Sequence, residues 1–352
     1  MSTDSRVFVV KIDSIEKHPN ADSLSIVNVF GGYPCIIRTG DFAVGDLAAY
    51  IPVDMLVPDS PQFTFLRSPK AKAGEPTRIK AKRLRGVFSM GLLTMPPKGS
   101  QEGDDVTDSL GIAKWEPEEL STRGSSRPGG KFLPGDAEND PGFLPAYTDI
   151  ENLRKWRGIL EGQEVVITEK IHGANAGFIW HAKGRDPARL WIRSRRQFKR
   201  PDSGGIWADV AKQYHFDEVL RDVCPSLAIF GEVYGQVQDL TYGYGDRVDL
   251  VAFDAFDVAT MRYLDYDDFV RYIALINMRL SSMSEARLRV APLLYRGAYD
   301  YATIAALAEG QTVLGEGKHV REGFVIKPIK EQWNARLGRV ILKLAGEGYL
   351  TR

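Results

Sequence analysis

Apolar and polar positions alternate in short bursts through the first hundred residues. Val7-Phe8-Val9-Val10, Leu24–Val29, Pro34-Cys35-Ile36-Ile37 and Leu47–Val53 are each a few residues long and rich in β-branched or aromatic side chains, as strands are. His18-Pro19-Asn20-Ala21-Asp22 and the Gly40–Gly45 segment read as connecting turns, and Val87 to Met95 as a closing strand. Strands this short and close together predict a small barrel or sandwich. From Ser121 to about Gly142 the pattern gives way to Ser, Gly, Pro and charge, as in Ser125-Ser126-Arg127-Pro128-Gly129-Gly130, which predicts a linker. Beyond it, Glu164–Lys170, Leu190–Ser194, Leu227–Tyr234, Val248–Val258, Gly323–Lys327 and Arg339–Leu344 read as strands, and Ile206–Leu220, Asp265–Leu280 and Ala302–Ala308 as helices. The expectation is an α+β chain with a β-domain over 1–120, a linker over 121–145 and a mixed domain over 146–352.

A length of 352 residues accommodates two domains, and 43% hydrophobic with 26% charged residues is a globular composition. The formal net charge is zero, so a polyanion would have to be met by local patches. Two stand out. Arg67, Lys70, Lys72, Arg78, Lys80, Lys82, Arg83 and Arg85 are interrupted by a single acid, Glu75; Lys183 to Arg200 holds eight basic residues against Asp186. Two distant cysteines, Cys35 and Cys224, give neither a disulfide framework nor a zinc spacing. The N-terminus is polar and no apolar run approaches ~20 residues. These features predict an intracellular, cytoplasmic, soluble protein with no membrane association and no evident obligate protein partner.

Candidate chemistry centres on Thr168-Glu169-Lys170-Ile171-His172-Gly173-Ala174-Asn175. Val166, Thr168 and Lys170 share one strand face, with Lys170 at the end where a pocket could open. A lysine amine is ordinarily protonated and becomes a nucleophile when desolvation or nearby cations lower its pKa. Gly173 would allow close approach to a ligand. Taken alone, the stretch is better read as a solvated lysine at a strand end, as most such lysines are.

Later segments change that balance. Lys170-Ile171-His172-Gly173 resembles the nucleotidyl-lysine motif of the ATP-dependent polynucleotide ligase and capping-enzyme superfamily, and Glu-Lys-Ile-His-Gly-x-Asn is similar to its RNA ligase 2 branch. Arg193-Ser194-Arg195-Arg196, Phe230-Gly231-Glu232-Val233-Tyr234-Gly235, Val251-Ala252-Phe253-Asp254, Ala291-Pro292-Leu293-Leu294, Glu322-Gly323-Phe324-Val325-Ile326-Lys327-Pro328 and Arg339-Val340-Ile341-Leu342-Lys343 resemble further motifs of that family, in its order, over about 146–352. The resemblance implies an ATP-grasp-like nucleotidyltransferase core of antiparallel sheets and helices. It implies an ATP-dependent RNA ligase that forms a lysine–AMP at Lys170, passes AMP to an RNA 5′-phosphate and seals it to a 3′-hydroxyl, at nicks in duplex RNA or an RNA–DNA hybrid.

Roles follow by the same resemblance. Glu169, Ile171, His172, Gly173 and Asn175 would line the nucleotide, Arg195 (or Arg196) would touch phosphate or sugar, and Phe253 would stack on adenine. Phe256 competes with Phe253: three apart on a strand, the two are expected to face opposite sides. Glu232 and Glu322 would hold Mg²⁺ or Mn²⁺. Lys327 and Lys343 would neutralise the α-phosphate and lower the pKa of Lys170. Ala345 stands where a second lysine is common. In the first half, His18-Pro19-Asn20-Ala21-Asp22-Ser23-Leu24, Arg38 to Asp46 and Leu84-Arg85-Gly86-Val87 resemble the N-terminal OB domain of Deinococcus-type RNA ligases, which would dock RNA. Two other readings remain open: a DNA ligase or capping-type guanylyltransferase, and a non-catalytic RNA-binding protein.

Overall fold

The computed structural model describes residues 5–115, 137–315 and 318–352; most of the expected linker, 121–136, lies outside them. The chain forms two compact units. The first comprises residues 1–117, 149–159 and 344–352, and the second residues 118–148 and 160–343.

The first unit is built on β1 (Phe8–Lys11), β2 (Leu24–Val29), β3 (Tyr33–Arg38), β4 (Leu47–Ile51), β5 (Lys82–Leu84), β6 (Val87–Ser89) and β7 (Leu92–Thr94). β4 lies between β1 and β7, antiparallel to both. Its two faces enter different cores: Ala48 and Tyr50 pack with Val10, Val27 and Tyr33, whereas Ala49 and Ile51 pack with Val7, Val9 and Phe63. A strand buried on both sides has no place for polar alternation, which accounts for Leu47-Ala48-Ala49-Tyr50-Ile51.

The single closing strand expected over 87–95 is two strands. Gly91 turns between them at φ +92°, where a Cβ would lie 2.7 Å from both the Ile51 carbonyl oxygen and the Tyr50 ring. His18 is buried: its Nε2–H donates to the Leu84 carbonyl at 3.1 Å, and its Nδ1 accepts from the Asn20 amide at 3.1 Å. Asn20 donates from its side chain to the Arg85 carbonyl at 2.9 Å. The His-Pro-Asn loop therefore fastens the turn of the basic β5–β6 hairpin.

In the second unit, β8 (Glu164–Glu169), β9 (Ala174–His181), β10 (Arg189–Ser194), α1 (Ile206–Gln213), α2 (Phe216–Val223), β11 (Leu227–Gly235), β12 (Val248–Asp257), α3 (Tyr266–Leu280), β13 (Leu293–Ala298), β14 (Gly323–Pro328) and β15 (Leu342–Ala345) follow in order. The larger sheet contains the antiparallel run β10-β9-β11-β12, joined by one short parallel pairing of Arg289–Val290 to β12. The smaller contains β15-β14-β8-β13. Helices α1, α2 and α3 cover one face of the larger sheet, where Val210, Phe216, Phe269 and Ile273 meet Phe178, Ile192, Ile229 and Val233. Leu144, Ile179, Trp191, Phe230 and Phe256 cluster on the other face.

The helix expected over 206–220 is broken in two. His215 adopts a left-handed φ of +46°, which ends α1 and starts α2; apolar periodicity ran through that break and could not show it. No helix among the described residues is long and apolar enough to cross a membrane.

Candidate active site

β8 runs Glu-Val-Val-Ile-Thr-Glu and ends one residue before Lys170. The Lys170 amide still donates to the Gly323 carbonyl at 3.0 Å, so the lysine leaves the sheet beside the start of β14. Its Nζ donates to Glu322 Oε1 at 2.6 Å. Burial acts to lower the Lys170 pKa, but the charges of Glu322 and Glu232 outweigh it and hold the amine above the ordinary lysine value, with Arg195 opposing them. The sequence predicts a lowered pKa; in the protein alone the sign is opposite, because the pull of the two carboxylates outweighs burial and Arg195 together.

The same charges act on the acids. Burial raises the Glu232 pKa to about 8, with Lys170 pulling down and Glu322 pushing up. Burial also works against ionised Glu322, yet Lys170 and His172 together keep its pKa below the ordinary value. The site thus holds one firmly ionised carboxylate and one that is easily protonated. Arg195 is exposed, and its charge is felt at both Lys170 and Glu232, which puts it at the same site.

The residues flanking Lys170 are tightly specified. Glu169 turns away from the amine into the interior, accepting from Thr312 Oγ1 at 2.5 Å and the Val313 amide at 2.9 Å; it anchors the 312–313 segment. Ile171 is buried. The His172 amide donates to the Tyr242 hydroxyl at 2.7 Å, and its ring meets Asp239 Oδ1 through Nε2 at 2.8 Å and Glu322 Oε2 through Nδ1 at 3.7 Å. Gly173 accepts at its carbonyl from Gln238 Nε2. A Cβ on Gly173 would lie 2.2 Å from the Val233 carbonyl oxygen, so any other residue would force β9 and β11 apart. Asn175 pairs across the sheet with Glu232.

Phe253 and Phe256 occupy the same side, contrary to the expected alternation. Phe230 pairs with Asp254 and Gly231 with Ala252, which leaves Phe253 as the extra residue of a β-bulge. Both rings therefore contact the cluster around Phe230. Phe256 is 4% exposed, whereas Phe253 is half-buried and meets Tyr147 edge-on at 5.0 Å; only Phe253 retains an open face.

Lys327 is placed differently from Lys170. Val166 pairs with Lys327 and Thr168 with Val325, so the two lysines share a sheet face about 13 Å apart along the strand direction. Lys327 donates to Asp254 Oδ1 and to Glu331 Oε1, both at 3.0 Å. Asp254 is fully buried, accepts from Arg339 at 2.6 Å and from the Tyr147 hydroxyl at 2.9 Å, and is held below the ordinary carboxylate pKa despite burial by Arg339 and Lys327. Lys327 is thus part of a buried ion-pair network behind Phe253. Lys343 is half-buried on β15, facing away from buried Leu342 and Leu344.

At this site Glu322 Oε2 and Asn175 Oδ1 are buried without a hydrogen bond, Oε2 having only the His172 ring at 3.7 Å beside it, an arrangement that favours an incoming ligand. Hard divalent cations take carboxylate oxygens, often only one or two, with waters and phosphate oxygens completing the shell. Glu322 and Glu232 fit that pattern. Among the described residues no group of three or more His, Cys, Asp or Glu side chains is placed to hold a metal without such additions.

A family model for RNA ligases matches residues 163–345, more than half of the chain. The chain belongs to the RNA ligase family. A second model, for an OB-fold domain, matches residues 6–96. No curated protein sequence matches. Among solved structures, the fold is similar to three of Naegleria gruberi RNA ligase. One mutant with ATP and Mn superposes with TM-score 0.79 at 22% identity, covering 98% of each chain. A second mutant with ATP and Mn gives 0.80 at 23%, and the protein with PPi gives 0.79 at 23%, each again covering 98% of both chains. The shared architecture spans both units.

Relative to this RNA ligase fold, sequence reading missed two groups of residues. Gln238, Asp239 and Tyr242 lie in the loop after β11 and reach back to His172 and Gly173. The glycine- and tyrosine-rich run Gly235 to Gly245 signals a tight loop, but nothing in it shows where the loop folds. Glu331 and Tyr147 complete the Asp254 network from positions 77 and 107 residues from Asp254 in sequence, beyond any local pattern.

Proposed function

We propose that this chain is an ATP-dependent RNA ligase that joins 3′-hydroxyl and 5′-phosphate RNA ends, with nicks in duplex RNA or RNA–DNA hybrid as substrate. The observation that carries the reading is the Lys170 amine, fixed at 2.6 Å from Glu322 and under the charge of Glu232, at the end of the strand where the sequence resembles the family's nucleotidyl-lysine motif. The ATP, Mn and PPi named with the Naegleria structures support the nucleotide and metal assignment.

In the first step the neutral Lys170 nitrogen forms a bond to the α-phosphorus of ATP as the bond to the bridging oxygen breaks, and the nitrogen gives up one proton to solvent. Pyrophosphate leaves with that electron pair, and lysyl-AMP remains. An RNA 5′-phosphate oxygen then displaces Lys170, and a 3′-hydroxyl oxygen displaces AMP, losing its proton as the phosphodiester forms. Each is a displacement at phosphorus, governed by positioning and charge neutralisation.

Residues of this chain supply the positioning. Phe253 offers an open aromatic face for adenine, the motif backbone around Ile171, Gly173 and Asn175 lines the nucleotide, and Arg195 faces the phosphates. Lys343 contacts the α-phosphate, and Lys327 acts by holding Asp254 beneath Phe253. Glu232 and Glu322 would hold Mg²⁺ or Mn²⁺, which when bound supplies positive charge that offsets their grip on the Lys170 proton. The N-terminal β-domain, residues 1–120, docks the RNA duplex, joined through 121–145 to the catalytic domain 146–352. Buried free Cys35 and Cys224 suit the reducing cytoplasm in which ATP is available.

The test is covalent labelling. Protein incubated with α-labelled ATP and Mn²⁺, then denatured, is expected to carry label that Lys170→Ala abolishes, and to pass it to a nicked RNA. Label from GTP and not ATP would make the chain a guanylyltransferase; no label from either would leave it a binding protein.

A further inference from the structure

The loop after β11 touches the lysine motif at three points. Tyr242, buried and at a left-handed φ of +55°, accepts from the His172 amide at 2.7 Å. Gln238 donates to the Gly173 carbonyl. These two contacts fix the backbone of His172, so only its side-chain torsions remain free. Asp239 takes up that freedom: its Oδ1 lies 2.8 Å from His172 Nε2.

Once Nε2 is held, the other ring nitrogen has one direction. Nδ1 faces Glu322 Oε2 at 3.7 Å, and the second oxygen of Glu322 accepts from Lys170 at 2.6 Å. A continuous line runs Asp239–His172–Glu322–Lys170. Its ends differ in environment: the Asp239 side chain is 68% exposed and that of His172 11%. The carboxylate can stay hydrated while it orients an imidazole that is almost closed off from solvent. A carboxylate on one ring nitrogen fixes which way an imidazole presents the other.

We infer that Asp239 is a positioning residue of the adenylylation step, acting through His172 on Glu322 and so on the Lys170 amine. The inference rests on the ligase reading above. It separates two aspartates by environment: Asp254 is buried in an ion-pair network, whereas Asp239 reaches the reaction centre from the surface through His172.

Single-turnover labelling by α-labelled ATP and Mn²⁺, followed against ATP concentration, tests it. Asp239→Ala is expected to lower the maximal rate about tenfold, with little change in half-saturating ATP. Asp239→Asn, which keeps an acceptor oxygen for Nε2, should recover most of the rate. In a His172→Ala background the Asp239→Ala change should cost less than about twofold, because coupled residues are non-additive. An unchanged maximal rate in Asp239→Ala, a loss confined to half-saturating ATP, or the same loss in both backgrounds would overturn the inference while leaving the ligase reading intact. If His172→Ala takes no label, the ring-nitrogen NMR shifts of His172 decide: they should move in Asp239→Ala, and unmoved shifts refute the contact. Wild-type protein that takes no label overturns the ligase reading and this inference together.

Discussion

At Lys170, charge and burial oppose one another, and charge wins. The amine is protonated in the protein alone because Glu322 and Glu232 outweigh desolvation, so a reactive amine requires those carboxylates to be engaged elsewhere. Glu232 shows the other side of this arrangement. Its folded-state pKa of about 8 lies above the ordinary glutamate value of 4.5, so between those values the unfolded chain binds fewer protons and stability falls as pH rises. Glu232→Gln removes that slope. The variant's melting temperature is expected to exceed that of wild type by an amount that grows from about pH 5 to pH 8, reaching a few degrees; a constant difference across that range would contradict the assignment. The residue types at this site were legible from the motif order. Their charge balance was not, because it depends on the 2.6 Å approach of Glu322 from 152 residues away.

Among elements, β12 is the one whose irregularity matters most. Strict alternation sends Phe253 and Phe256 to opposite faces, and the bulge at Phe253 returns both to one. Phe253→Ala is expected to weaken ATP binding by about 1–3 kcal/mol, the worth of an aromatic stack, with little loss of stability. Phe256→Ala should instead destabilise the fold by about 3–5 kcal/mol while ATP affinity of the folded fraction holds; equilibrium binding and urea unfolding separate the two. The strand is also tied down by Asp254. Asp254→Asn removes the more deeply buried of the two carboxylates that Lys327 and Arg339 share, leaving Glu331, and a broken buried pair costs up to about 3–5 kcal/mol, to be read in the same unfolding experiment. The strands over 164–169, 227–235 and 248–257 and the helix over 266–280 were legible in the sequence, whereas the strands Ala174–His181 and Leu293–Ala298 were not. Nor were Gly91, His215 and the Phe253 bulge, since each break answers to a neighbour distant in sequence or to a backbone angle that periodicity does not carry.

At the scale of the whole molecule, zero net charge places the burden of RNA binding on local surfaces. In the first unit Arg67, Arg78 and Arg83 pair with Asp59, Asp54 and Glu347. Lys70, Lys72, Lys82 and Arg85 are exposed, and Arg85 sits in the turn fastened by His18 and Asn20. Replacing Lys70, Lys72 and Arg85 together with Glu is expected to weaken sealing of a nicked duplex at least tenfold at moderate salt, with a shallower salt dependence, while Lys170 labelling proceeds at the wild-type rate. Equal loss in both assays would argue against RNA docking by this unit. Composition divides the chain at a linker over 121–145, whereas the compact units return residues 149–159 and 344–352 to the first, because short segments of ordinary composition carry no mark of the unit they join.

The central claim is that Lys170 receives AMP. Peptide mapping by mass spectrometry after incubation with ATP and Mn²⁺ tests it most directly. One AMP on the peptide containing Lys170, absent in Lys170→Ala, is the predicted result; AMP on another residue, or persistent modification in the variant, would contradict it.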